Sequence, residues 1–340
     1  MAVVAGGTGH RIAVADVVRQ LEAVLESRGF SAPRAATCAR LFAEASVDGV
    51  SSHGLNRFPR FIGQVDRGIV RHDREPAAVA SFAAWERWDG QLGPGNLNAL
   101  ASTQRAMALA QTHGLGLVAL ANTNHWMRGG SYGWHAAERG MALIAWTNTL
   151  PNMPPWGGTS PRLGNNPLVV AVPHGDAPVV LDMAMSQFSY GRMETHASRG
   201  EALPQPGGFD SEGRLTSDPA AILQSQRTLP MGSWKGAGLA LVLDLLAAML
   251  SDGRATVDIG ARPEESGVSQ VFIAIDVARA NGPTRLVQRV LDDLMTDIPV
   301  DPTQPVRHPG EQVRRARAEN LREGVPVDVD VWRTIGELLR

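Results

Sequence analysis

Within nine residues, Ser51-Ser52-His53-Gly54-Leu55-Asn56-Arg57-Phe58-Pro59 gathers two hydroxyls, an imidazole, an amide and a guanidinium. An imidazole gives or takes a proton near neutral pH. A guanidinium grips a carboxylate through two parallel hydrogen bonds. Gly54 allows a close backbone approach. By itself the stretch also reads as a polar turn between two helices. A second cluster of the same kind shifts the balance: Asn122-Thr123-Asn124-His125-Trp126-Met127-Arg128-Gly129-Gly130-Ser131-Tyr132-Gly133 directly follows an apolar run, 115–120, that reads as a buried strand. Binding groups collect at such strand ends. His125 is a candidate partner for a substrate hydroxyl, and a satisfied structural histidine is the plain alternative.

Further on, 152–158 and 162–167 are Pro/Gly/Asn loops around Trp156 that suit either structural turns or the lining of a cleft. Asp182 ends a strand-like run, where it could hold ribose hydroxyls, orient an imidazole, or cap the next helix, a role Ser186 could also take. Met231-Gly232-Ser233-Trp234-Lys235-Gly236 opens a long apolar helix. Free N–H groups at a helix start favour phosphate, Lys235 adds a full charge and Trp234 a flat face. An ordinary helix start fits equally well. Of 32 basic residues 31 are Arg, so the one Lys, Lys235, could mark a place where a compact ammonium matters. No Walker loop, no G-x-G-x-x-G between a strand and a helix, no H-E-x-x-H and no paired cysteines are present. No metal site is expected.

The elements that must position these groups follow from periodicity. Residues 11–30, 32–47 and 58–66 carry apolar positions at helical spacing, with Ser31 as a cap and Pro33 in the first turn of the second helix; Asp48 and Gly49 break that helix. From about residue 76 the texture changes to short β-branched or apolar runs, near 77–89, 115–120, 141–148, 167–172, 178–181 and 268–275, with helices between some of them. Residues 236–250 form the longest apolar helical run, a core helix or a subunit interface, and 283–295, 309–322 and 331–340 are amphipathic. The Arg-rich 309–322 reads as a solvated face. The glycines at 6–9 read as disordered. The fold class is α+β with an α/β-like sheet: a helical domain, 1–75, joined by helices from about 305–340, beside a sheet domain, 76–304.

A chain of 340 residues, 44% apolar and 19% charged, can bury a large core. A net charge of −2 offers no footprint for nucleic acid. With no run of about 18 apolar residues, no membrane span is expected. The start does not read as a signal peptide, and Cys38 is the only cysteine. The cytoplasm is the expected compartment.

Three stretches together, 52–59, 124–133 and 230–236, resemble the type-2 malate/L-lactate dehydrogenase family, over about residues 14–332. The tryptophan-containing Asn124–Gly133 stretch carries most of the specificity. The resemblance implies reduction of a 2-keto acid with NAD as cofactor, NADPH being the alternative, bound without a conventional Rossmann fold, in a homodimer. It implies that His53 is the general acid. It implies cofactor contacts at Pro178, Val179, Val180, Leu181, Asp182, Met183 and Ala184, at Trp234 and Lys235, and at Gly310, Glu311 and Gln312. Glu311 departs from the family pattern, and this leaves NADH against NADPH open. Arg57 is the candidate carboxylate clamp; His125 and Ser52 are candidate substrate contacts.

Overall fold

The computed structural model describes residues 10–280 and 284–339; the glycines at 6–9 lie outside them. The chain starts with β1 (Arg11–Ile12), α1 (Val14–Ser27) and α2 (Ala32–Val47). Ser31 occupies the N-cap position of α2, yet its side chain makes no capping hydrogen bond; Pro33 supplies the preset first turn. Two short 3-10 turns, Ser51–His53 and Leu55–Arg57, lead into α3 (Phe58–Asp66). The hairpin β2 (Ala77–Phe82) and β3 (Trp85–Asp89) follows, then α4 (Gly95–His113), β4 (Leu115–Thr123) and α5 (Gly130–Ala137). Next come β5 (Ala142–Thr147), β6 (Leu168–Val172), β7 (Val179–Met183), α6 (Tyr190–Ser198), β8 (Gly208–Phe209), β9 (Leu215–Thr216) and α7 (Pro219–Ser225). The rest is α8 (Trp234–Ser251), α9 (Thr256–Gly260), β10 (Val268–Ile275), α10 (Thr284–Leu294), α11 (Glu311–Glu323), β11 (Val325–Pro326) and α12 (Val329–Glu337).

Seven strands form one mixed sheet in the order β2-β3-β4-β10-β5-β6-β7. Only β3 and β4 run parallel; the other pairs are antiparallel. The central strands β4, β10, β5 and β6 are largely apolar on both faces, as a sheet covered on both sides requires, while β2 at the edge is exposed. Val118, Leu120, Leu143, Ala145, Val169 and Phe272 belong to a core that includes residues of α4 and α5 and runs on into α1, α2 and α3. That core does not break where the residue pattern changes near 76. The opposite face holds Ala119, Trp146 and Val271 against Ala237, Ala240, Leu243 and Ala247 of α8. The ends of the chain meet: β1 pairs with β11, and α12 touches α1 and α3.

Among the described residues α8 is the one helix long and apolar enough to cross a membrane, with a mean hydropathy of 1.5. Its inner side packs on the sheet, and its one carboxylate, Asp244, accepts hydrogen bonds from Asn148 Nδ2 and the Thr256 N–H, both at 2.9 Å. It is built as a layer on a sheet, not as a span.

Candidate active site

His53 sits on the first 3-10 turn, where Asp48 and Gly49 have ended α2. Gly54 seats this turn against α2: its successor Leu55 donates its N–H to Ser46 Oγ at 2.9 Å. Ser52 Oγ lies 3.0 Å from His53 Nδ1. With the hydroxyl donating, the proton of the neutral ring sits on Nε2. The His125 ring stacks beside it, with centroids 5.9 Å apart. His125 Nδ1 accepts the Met127 N–H at 3.0 Å, so this ring also carries its proton on Nε2. The contact is made by holding Met127 at φ +64°, a left-handed conformation unfavourable for a side chain of this kind. Two imidazoles from distant stretches, each with Nδ1 engaged, therefore present Nε2–H donors in one place.

Both rings are half-buried and closely surrounded by protein. Burial lowers the His53 pKa to about 4, helped by the positive charges of Arg57 and Arg128. His125 is lowered well below the ordinary range by burial, then Arg57 and His53. Both rings are therefore neutral at pH 7 before an anion arrives. Arg57 is half-buried and, among the described residues, has neither an ion pair nor a side-chain hydrogen bond. A half-buried guanidinium with no carboxylate in direct contact is ready for a bound one.

Asp182 of β7 holds the glycine turn that follows the His125 stretch. Its Oδ2 accepts the Gly130 N–H at 2.7 Å, and a Cβ on Gly130 would lie 2.8 Å from that oxygen, so the contact needs glycine. Asp182 is solvent-exposed at the edge strand, yet the protein packed around it raises its pKa, while Arg128 and the Gly130 hydrogen bond oppose the rise. Neither Asp182 nor Ser186 caps the following helix: Ser186 Oγ donates to Phe188 O, and Ser189 caps α6. α6 in turn lies on the turn that carries His53. A Cβ at Gly191 would stand 2.5 Å from Ser52 Cβ.

The stretches with expected cofactor contacts meet around the edge strand β7. Pro178, Val179, Val180, Leu181, Asp182, Met183 and Ala184 form β7 and its flanks. Gly310, Glu311 and Gln312 open α11, tied to β7 by the Val180 N–H donating to Pro309 O at 3.4 Å. Trp234 and Lys235 open α8, tied to the residue pair beyond β7 by the Met231 N–H donating to Met185 O at 2.8 Å. Trp234 is 63% exposed and Lys235 is exposed. A cavity of about 550 Å³ opens beside the start of α11, lined by Trp134, Glu138, Asp176, Glu311, Arg314 and Arg317 among others. These residues fit a nicotinamide dinucleotide on two observations. Arg128 Nε and Glu311 Oε2 are buried polar atoms without a partner, the first able to donate and the second to accept. Glycines 129 and 130 are buried, and only the lack of a Cβ lets this turn close on Val169 of β6 and Asp182 of β7.

One group escaped sequence reasoning. Asp48, read only as a helix breaker, is 3% exposed and binds two guanidiniums. Arg317 Nε donates to its Oδ1 at 2.6 Å and Arg317 Nη2 to its Oδ2 at 2.9 Å; Arg128 Nη1 also binds Oδ2. Arg317 further pairs with Glu138 and lies 4.6 Å from the Trp134 ring centre. The Arg-rich face of α11 is thus solvated only in part. The 125–130 stretch held part of the signal, an Arg set close to an imidazole and two glycines.

The family model for malate/L-lactate dehydrogenase matches residues 12–336. The chain is 48% identical over 320 residues to a 2,3-diketo-L-gulonate reductase of Citrobacter koseri, covering 93% of this chain and 96% of that one. In fold it matches a dehydrogenase from Sinorhizobium meliloti with a TM-score of 0.89 and 30% identity, over 97% of this chain and 98% of that one. It also matches a sulfolactate dehydrogenase from Methanocaldococcus jannaschii with a TM-score of 0.86 and 28% identity, over 97% and 96%. The paired imidazoles, the unpaired arginine and the strand-edge cradle thus stand in a chain that belongs to the malate/L-lactate dehydrogenase family, an oxidoreductase family acting on hydroxy and keto acids.

Proposed function

We propose that this protein is a nicotinamide-dependent reductase of 2,3-diketo-L-gulonate or a closely related sugar keto acid, with His53 exchanging the proton at the carbonyl oxygen. The observation that supports it is the convergence of the two Nε2–H donors, His53 and His125, on a site that also holds the unpaired guanidinium of Arg57. The cofactor supplies or accepts the hydride when bound. Arg57 binds the substrate carboxylate and so fixes the neighbouring carbonyl. His125 donates to that oxygen as negative charge grows on it. Ser52 holds the His53 ring in place. A carboxylate on Arg57 offsets one of the charges that depress His53, lifting its pKa towards the range where an imidazolium can give up its proton. In the reverse direction the neutral ring takes the proton from the hydroxyl.

NADH is the proposed cofactor over NADPH, since the unpartnered Glu311 Oε2 is an acceptor suited to a ribose hydroxyl. A panel of 2-keto acids and cyclic imines, followed by the absorbance of NADH and of NADPH, tests the reading. Turnover of malate, lactate, ureidoglycolate or an imino acid in preference to the sugar acid would assign the alternative within the family. Binding without any turnover would leave a ligand-binding protein. We further propose a homodimer in the cytoplasm, with no nucleic-acid or membrane partner. The support for the dimer is the outer side of α8, where Leu241, Val242, Leu245, Leu246 and Met249 are each at least 40% exposed. The amphipathic α10 likewise exposes Leu286, Val290 and Leu294. The free, buried thiol of Cys38 suits a reducing compartment.

A further inference from the structure

The site beyond Arg57 is built from parts that the proton chemistry does not use. Gly191 presses α6 onto Ser52. Glu194, three residues on, lies on the same side of the helix, exposed and with no hydrogen bond or ion pair among the described residues. Glu265 approaches from the loop before β10, where one of its oxygens accepts the Leu150 N–H at 3.3 Å and the other is uncommitted. Both carboxylates act electrostatically on Arg57, and Arg60 is the cation that acts on it from the other direction. The remaining cation on this turn of α6, Arg192, is turned onto the Phe188 ring, 5.0 Å from its centre. Beside Tyr190, whose hydroxyl donates to Asn152 O at 2.9 Å, Asn152 Oδ1 is a buried acceptor with no partner.

The charges of Arg57, Arg60, Glu194 and Glu265 sum to zero. One substrate carboxylate takes Arg57. A second would find no unbalanced cation and would lie near two carboxylates. Hydroxyl groups on an uncharged tail would find acceptors instead. We propose that Glu194 and Glu265 determine specificity, making this part of the site accept a hydroxylated, uncharged tail and reject a second carboxylate. The inference rests on the keto acid reductase reading above.

The test compares kcat/KM for 2,3-diketo-L-gulonate, pyruvate and oxaloacetate in the wild type, Glu194→Gln, Glu265→Gln and the double variant. Glutamine keeps the acceptor that Glu265 offers to Leu150. In the double variant, oxaloacetate should gain on 2,3-diketo-L-gulonate by about tenfold or more, because a like-charge repulsion is lifted. The change should lie in KM, and pyruvate, which has one carboxylate and no tail, gauges the effect passed through Arg57: oxaloacetate should gain on pyruvate as well. Titration with malonate and with L-threonate gives the same comparison without turnover: malonate should bind more tightly and L-threonate more weakly. Ratios that stay within twofold in both measurements would overturn the inference while leaving the reductase reading intact. A wild type inert towards every keto acid would overturn that reading itself.

Discussion

His53 is held neutral by its surroundings, and this sets what titration will show. Its pKa of about 4 belongs to the empty site, so kcat/KM for oxidation of the hydroxy acid should hold down to pH well below 6.5 before it falls. Arg57→Gln removes one of the lowering charges. It should move that acid limb upward, towards 6.5, and raise KM for the keto acid; an unmoved limb and an unmoved KM would show that Arg57 lies away from the chemistry. His53→Ala should lower kcat by about 10²–10⁴-fold with cofactor affinity kept, the usual worth of a placed proton donor. Near-normal turnover would remove His53 from its role. The types and order of these residues were readable in the sequence, as was the family. Their mutual arrangement was not: the stacking of His53 on His125 depends on a contact between stretches some 70 residues apart, and the strained φ of Met127 that fixes the His125 proton leaves no mark in residue type.

The elements owe their places to a few contacts that pattern reading undervalues. Strand and helix runs were legible because burial imposes period 2 or 3.6 on the residues; 268–275 matches β10 end for end. Roles of single polar residues at the ends were not, because a carboxylate after a helix looks alike whether it faces water or two arginines. Asp48 joins the end of α2 to the segment before α5 and to α11. Asp48→Asn leaves two guanidiniums without their shared counter-charge. We expect a loss of about 3–5 kcal/mol, and a Tm lower by roughly 6–10 °C in a calorimetric scan. α6 is seated by a glycine, so Gly191→Ala should push it off Ser52 at a cost of about 1–3 kcal/mol. kcat should fall with it, because the hydroxyl that holds the His53 ring is displaced. A crystal structure of the variant with α6 and Ser52 unmoved would contradict this.

For the whole molecule, acidity and association are the measurable properties. His53 and His135 both have pKa values lowered to about 4 by burial, against about 6.5 when the chain is unfolded. Between these values the unfolded chain binds more protons, so stability is complete above about pH 6.5 and declines as pH falls towards 4. Denaturant midpoints at pH 7 and pH 5 should differ in that direction; equal midpoints would mean that these rings are hydrated in the native state. The outer side of α8 predicts that Leu245→Glu yields a monomer in sedimentation velocity while the parent sediments as a dimer, and a monomeric parent would refute the interface.

The pairing of β1 with β11 has a further outcome for how the protein is made. A ribosome releases the segment carrying α1 and α2 long before it has translated residues 325 and 326, so the opening helices emerge without the strand that closes their layer. Until synthesis passes β11, the apolar sides of those helices stay open to chaperones, and a chain stopped before residue 325 would leave them without that strand.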